Sequence, residues 1–188
     1  MNKSSLANSR AALSRLVDCR AGSMLISFAV AMPVFLGLGM AVVEMSVLTF
    51  DYHRAGEAVR RGARAAAMVP ALTSLAALDP GESVECHGTV TGLDCAGTSS
   101  AVPADFTTVL TAMQAIHPGI QRENVSIEYR HSGIGDMAQP GGMRPIVTVG
   151  LRDLRHAFLL PGAVPGLPAD LPLPELAANQ MGVGFRAP

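Results

Sequence analysis

The histidines and cysteines are the side chains of this sequence with the widest chemical repertoire, yet their spacing does not form a reactive site. The five histidines are scattered without the spacing of a metal site or a catalytic triad: His53, His87, His117, His131 and His156. The sequence also lacks a Gly-x-Ser-x-Gly motif, a phosphate-binding Walker loop and a pair of carboxylates in an apolar setting. We therefore predict no catalytic residue and no cofactor, and expect that the chain is not an enzyme.

Two of the three cysteines, Cys86 and Cys95, are nine positions apart, and the third, Cys19, lies far upstream. His87 stands beside Cys86, but two sulfurs and one adjacent imidazole lack the ligand spacing of a tetrahedral metal site, so we predict no metal. The pair then has two interpretations, a disulfide in an oxidising compartment or two free, small hydrophobic side chains. We expect the disulfide, which would stabilise the fold by about 2.5–3 kcal/mol.

The most distinctive element of the sequence is the apolar stretch of residues 24–43, MLISFAVAMPVFLGLGMAVV, relative to which the other segments are placed. These twenty residues carry no charge, and only Ser27 and Pro33 interrupt them. At a rise of about 1.5 Å per residue they span roughly the 30 Å of a bilayer's hydrocarbon core. A core helix of a soluble protein would show a polar face, and this stretch has none. The sequence therefore predicts a membrane-spanning helix.

The composition agrees with a membrane-anchored chain of modest size. Of the 188 residues 49% are hydrophobic and 15% are charged, and the net charge is −1. Near-neutral charge without a Lys/Arg run argues against a nucleic-acid partner. Tryptophan is absent, so the core must consist mainly of aliphatic residues and methionine.

The helical pattern continues beyond the apolar stretch. Small and apolar residues recur at alternating spacings of four and three, which places them on one stripe of a helix: Ala41, Met45, Leu48, Tyr52, Ala55, Val59, Gly62, Ala66 and Val69. Pro70 is expected to end this helix. The other faces are expected to form a solvated basic surface: Arg54, Glu57, Arg60, Arg61 and Arg64. We expect helix packing at Pro33, Gly37, Ala41, Glu44, Leu48, Tyr52, Ala55, Val59 and Gly62.

The charges on the two sides of the apolar stretch are nearly balanced. Four basic residues precede it and four follow it closely: Lys3, Arg10, Arg15 and Arg20, then Arg54, Arg60, Arg61 and Arg64. Fewer acidic residues offset the first group, and the cysteine pair suits an oxidising compartment. Both observations favour a cytoplasmic N-terminus and a C-terminal part on the outer side of the membrane, which the family resemblance given below would place in the periplasm.

Several motifs of the N-terminal segment occur together in one known family. They are the leader end Arg20–Gly22, the pair Phe28-Ala29, Pro33 in the apolar run, Val43-Glu44, and the stretch from Arg61 to Ala65. This combination resembles the TadE-like family, whose members are single-pass minor pilins, or pseudopilins, of the tight-adherence (Flp-type) pilus. The resemblance covers about fifty residues.

The resemblance implies a basic prepilin-type leader over residues 1–22, cut by a prepilin peptidase between Gly22 and Ser23. Leader recognition would involve Arg20, Ser27 and Phe28, but the family usually has glutamate where this chain has Ser27. The implied partners are other minor pilins, the inner-membrane assembly platform and the peptidase, with the major pilin as a further candidate. The implied role is assembly or initiation of the pilus, in the bacterial inner membrane or in the fibre itself. Two alternatives stay open, an uncut membrane-anchored extracytoplasmic binding or sensor module and a secreted or tethered hydrolase.

The expected fold class is α+β, with a long N-terminal helix packed on a small antiparallel sheet, as in pilins. We divide the chain into the leader, a transmembrane helix (23–50), its amphipathic continuation (51–69) and a head (70–188). The head is expected to begin with an irregular region (71–104) and a helix (106–116) capped by Asp105. Two strands (124–130 and 144–151) are expected on either side of a glycine-rich turn (133–142). A short strand (157–160), a polyproline-like loop (161–174) and a last strand (179–185) are expected to follow.

Overall fold

The computed structural model describes residues 20–75, 78–96, 98–135, 142–158 and 169–183. Its two α-helices are α1 (Arg20–Ala66) and α2 (Ala104–Gln114), and Arg122–Asn124 form one turn of 3-10 helix. The strands are β1 (Ser83–Gly88), β2 (Leu93–Cys95), β3 (Thr98–Ser100), β4 (Val125–Arg130), β5 (Ile146–Leu151), β6 (Arg155–Ala157), β7 (Asp170–Pro172) and β8 (Leu176–Met181). The expected leader, apart from residues 20–22, lies outside the described residues.

The chain forms two compact units, Met1–Val47 and Leu48–Pro188. The described part of the first unit is helical throughout. The second unit contains the last turns of α1, α2 and all the described strands. The division into leader, transmembrane helix, amphipathic continuation and head stays a prediction.

Six strands of the second unit form one antiparallel sheet in the order β3-β2-β1-β4-β5-β8. Its registers align Glu85 with Glu128, Glu128 with Thr148 and Thr148 with Asn179, so these four residues form a row across the sheet. Strands β6 and β7 form a separate two-stranded sheet.

The core lies on one face of the large sheet. Strand β5 shows why, because Val147, Val149 and Leu151 are buried while the residues between them are partly exposed. This period-two pattern is that of a strand with one buried face. Small residues on α1 and apolar residues on α2 belong to the same core. Tyr129 and Phe106 are its largest fully buried side chains.

The expected α+β class is confirmed, with a long N-terminal apolar helix and an antiparallel sheet. The two strands with the clearest alternation, 124–130 and 144–151, are present as β4 and β5 and pair antiparallel. The expected last strand is also present, but β8 begins three residues earlier, at Leu176. The expected helix 106–116 runs instead from Ala104 to Gln114.

Three expectations for the head are wrong. The region 71–104 is not simply irregular, because it contributes three strands, β1 to β3, to the large sheet. Asp105 does not cap α2, since Pro103 occupies the N-cap position and makes no side-chain capping hydrogen bond. Part of the expected polyproline-like loop forms β7, which pairs with β6.

The remaining boundaries differ by a few residues or fall outside the described chain. Helix α1 ends at Ala66 rather than beside Pro70, and a turn follows it. The short strand expected at 157–160 lies at Arg155–Ala157. Residues 136–141 of the expected glycine-rich turn, and residues 161–168, lie outside the described residues.

Candidate functional site

The first unit exposes the whole apolar stretch. Every side chain from Met24 to Val43 is exposed, including Phe35 at 71% and Leu36 at 64%. The helical segment Met24–Ala66 is long and apolar enough to cross a membrane, and none of its most apolar part is buried within the structure. An apolar surface of this size requires lipid or a protein partner around it.

The expected packing positions of the first unit lie on this surface. Pro33 is inside α1. A side-chain carbon added at Gly37 would have no neighbour within 4 Å, and Ala41 is exposed. These two small residues are one turn apart, so another helix could approach closely at this point. Packing by Pro33, Gly37, Ala41 and Glu44 stays a prediction.

The residues expected to carry leader cleavage lie in the first turns of α1. The helix begins at Arg20 and includes Gly22 and Ser23. Ser27 and Phe28, the other expected recognition residues, are exposed on the following turn. Leader cleavage and recognition also stay predictions.

The packing positions of the second unit divide into two groups. Leu48 is half-buried, and Tyr52 is exposed, with its ring set edge-on to His53 at 6.0 Å. Ala55 and Val59 are at most 1% exposed and belong to the core. The stripe is therefore buried from Ala55 onward.

At Gly62, α1 lies close to both α2 and the large sheet. A side-chain carbon placed on Gly62 would lie 2.7 Å from Cγ and 2.8 Å from Sδ of Met113 on α2. It would also lie 3.4 Å from Cγ1 of Val149 on β5. Any side chain at this position would overlap Met113 unless the methionine moved.

Arg54 connects α1 to the end of α2, although the sequence had placed it on a solvated face. Its Nε and Nη2 atoms donate to the carbonyl of Ile116 at 3.1 and 2.6 Å. The guanidinium also lies 5.5 Å from the centre of the Phe50 ring. A cation is favourable at the carbonyl end of a helix. The solvated interpretation of Arg54 is therefore wrong.

A second connection joins α1 to the small sheet. The Nδ1 atom of His156, on β6, lies 2.7 Å from Oδ2 of Asp51 on α1. The His156 side chain is only 3% exposed, and its ring meets Phe158 edge-on at 5.8 Å. Sequence reasoning missed this pair, because the partners are 105 residues apart and no local pattern relates them.

Cys86 and Cys95 form a disulfide in the structure. They are register partners on neighbouring strands, β1 and β2, and both are buried. The bond ties this hairpin to the core. Beside it, on the other face of β1, Arg152 pairs with Glu85 at 2.9 Å and contacts His87. Among the described residues no group of three or more His, Cys, Asp or Glu side chains could hold a metal ion.

Comparison with known proteins gives one match. The family model described as TadE-like protein matches residues 22–64, about a quarter of the chain. No curated protein and no solved structure is significantly similar to the chain. The matched segment contains the apolar stretch and the part of α1 that enters the core. Residues 22–64 are therefore a TadE-like segment, which confirms the resemblance indicated by the motifs.

Proposed function

We propose that this chain is a minor pilin, or pseudopilin, that acts in the assembly or initiation of a tight-adherence pilus. The TadE-like match over residues 22–64 supports an association with this pilus. The observation that carries the proposal is the dual nature of α1, which is one helix from Arg20 to Ala66. Its first part exposes an uncharged and mainly apolar surface over a membrane's thickness, and its last turns belong to the hydrophobic core of the second unit.

A helix of this kind suits a subunit that first resides in a membrane and then packs against the helices of partner subunits. In the bilayer, lipid covers the apolar part of α1. In an assembly, the same side chains would pack on partner helices, with close approach at Gly37 and Ala41. Transfer between two apolar environments has little hydrophobic driving force, so head contacts would select the neighbours.

The proposed topology has the N-terminus in the cytoplasm and the head in the periplasm. The Cys86–Cys95 disulfide supports it, because disulfides persist in oxidising compartments. The proposed partners are other minor pilins, the inner-membrane assembly platform and the prepilin peptidase, with the major pilin as a further candidate. Mass spectrometry of the chain alkylated within cells tests the topology, since a periplasmic head leaves Cys86 and Cys95 unmodified while Cys19 is labelled in the uncut chain.

The first experiment is the intact mass of the chain from membranes with and without an active prepilin peptidase. We expect a mature chain that begins at Ser23 only when the peptidase is active. A chain that keeps residues 1–22 in both membranes would contradict pseudopilin processing. It would favour the alternative, an uncut membrane-anchored binding or sensor module.

Three substitutions make this experiment specific. Gly22→Val should block cleavage, whereas Gly39→Val, in the same helix and with no neighbour within 4 Å, should leave it unchanged. Ser27→Glu restores the carboxylate that the family usually has and should raise the cleaved fraction. Deleting the gene should also reduce the number of pili on the cell surface, and re-expression of the native chain should restore it.

A further inference from the structure

The outer face of the large sheet, away from the helices, carries a concavity of about 180 Å³. Its floor is a row of three small residues in register across β4, β5 and β8, namely Ser126, Gly150 and Ala177. Larger residues of the neighbouring rows rise on both sides. We call this feature the outer groove.

The floor of the outer groove contains a buried hydroxyl group. Ser126 is only 7% exposed, and its Oγ lies 2.6 Å from the place where a side-chain carbon of Gly150 would stand. This hydroxyl forms no hydrogen bond with the described part of the chain. The Ser126 side chain lines the groove, so its hydroxyl offers a donor and an acceptor there.

The rims of the outer groove are predominantly acidic. Its lining includes three carboxylates and one guanidinium: Glu85, Glu128, Glu175 and Arg152. Glu85 pairs with Arg152 at 2.9 Å, and Glu128 pairs with Arg130 at 3.1 Å. Glu175 is exposed and forms no ion pair with the described residues. The groove therefore suits a cationic side chain.

The opposite side of the same unit carries the complementary charge. At 100° per residue, Glu57, Arg60 and Arg64 face away from Gly62, which packs against the inner side of β5, and Arg61 lies beside them. Arg60 and Arg64 share Glu57, at 3.0 and 3.8 Å. Arg61 is exposed and forms no ion pair with the described residues. We call these four residues the basic face.

We propose that the outer groove of one copy of this chain binds the basic face of a second copy, with the guanidinium of Arg61 between Glu175 and the Ser126 hydroxyl. The unpaired charges are complementary, since neither Arg61 nor Glu175 forms an ion pair with the described residues of its own copy. An arginine supplies several donors in one plane, which suits a carboxylate and a hydroxyl oxygen as acceptors.

The two surfaces also determine the symmetry of the contact. Because they lie on opposite sides of one unit, the contact is heterologous, and each bound copy leaves a new groove free. A twofold contact would instead place acidic against acidic or basic against basic, which is repulsive. The inference goes beyond the pilus role and does not depend on leader cleavage.

Cysteine cross-linking of the full chain in membranes tests the contact. In a Cys19→Ser background, Arg61→Cys combined with Glu175→Cys should give, on oxidation, a ladder of dimers, trimers and larger species. The two single variants expressed together should give only dimers that contain one of each. As a matched control, Arg61→Cys with Glu82→Cys, an exposed glutamate outside the groove, should give no ladder. Absence of the ladder, or dimers of identical single variants, would overturn the proposal.

Charge exchange provides an independent measurement. Arg61→Glu and Glu175→Arg should each reduce self-association of the detergent-solubilised chain about tenfold at low salt, and the double variant should restore it. Sedimentation velocity measures the oligomer fraction. Single variants that still associate, or a double variant as weak as the singles, would refute the charge match.

Discussion

Asp51 and His156 bring together two elements that are distant in sequence, α1 and β6. Their contact, 2.7 Å between Oδ2 and Nδ1, is shielded from solvent, with the imidazole 3% and the carboxylate 28% exposed. The Nε2 atom of the same ring is buried without a hydrogen-bond partner among the described residues. The ring is therefore held by Asp51 on one side and by apolar packing on the other.

We expect Asp51→Asn to lower the free energy of unfolding of the head by about 2 kcal/mol, because it weakens a buried, charge-assisted hydrogen bond. Urea unfolding of the detergent-solubilised chain measures the change. Glu57→Gln on the same helix is the control, since its ion pairs are exposed and its loss should be below about 0.5 kcal/mol. Equal effects of the two substitutions would refute a special role for the Asp51–His156 pair.

Gly62 gives a second prediction, which concerns packing. Gly62→Val should destabilise the head by about 1–3 kcal/mol, because the new side chain meets Met113 at less than contact distance. Gly56→Val is the matched control on the same helix, because a side-chain carbon at Gly56 would have no neighbour within 4 Å. If Met113 is truncated as well, in Gly62→Val with Met113→Ala, part of the lost stability should return. A loss at Gly56 as large as that at Gly62 would contradict the explanation.

The disulfide between Cys86 and Cys95 gives a third prediction. Closing a loop of this length restricts the unfolded chain, so replacing both cysteines with alanine should lower the free energy of unfolding by about 2.5–3 kcal/mol. A reducing agent should have a similar effect on the native chain and none on the variant. Cys19→Ser should change neither measurement. Unaltered stability after reduction would show that the bond does not contribute.

Tyr129 gives a prediction for alkaline pH. Burial raises the pKa of its phenol from 10.0 to about 12, and the hydrogen bond donated by the Leu72 amide opposes part of this shift. The folded state thus keeps the proton to higher pH than the unfolded state. The associated stability is complete below pH 10 and is lost as the pH rises from 10 to 12, by up to about 2–3 kcal/mol.

Urea unfolding at several pH values between 9 and 12 measures this loss. Tyr129→Phe removes the ionisable group, so its stability should fall less steeply over the same range than that of the native chain. Parallel curves for the two proteins would contradict the prediction. Absorbance at alkaline pH, compared between the two proteins, isolates the titration of this phenol from that of Tyr52.

The sequence alone identified the elements that follow from local patterns. The uncharged run from Met24 to Val43 predicted an apolar helix because its length and polarity are local properties. The stripe that reaches Gly62 predicted the buried side of the helix's last turns, since helical period and burial are directly related. The alternation of apolar and polar residues in 124–130 and 144–151 predicted β4 and β5, because successive side chains of a strand point to opposite faces of the sheet.

Some local signals were present but weak. In β1, Val84 and Cys86 alternate with Glu85 and His87, which is a strand pattern. The many glycine, serine and threonine residues around it favoured an irregular region instead. Strands β2 and β3 have three residues each, too few for a period to be recognised.

Only the tertiary structure decided the contacts between distant residues. Asp51 with His156, Arg54 with the Ile116 carbonyl, and the alignment of Ser126, Gly150 and Ala177 depend on how the chain returns on itself. A side chain's polarity does not encode such a partner, because hydrogen bonds and sheet registers are set by the whole arrangement of backbone and core. The sequence therefore determined the long apolar helix, the buried stripe in its last turns and the TadE-like resemblance of residues 22–64, whereas folding determined the sheet order, the helix connections and the outer groove.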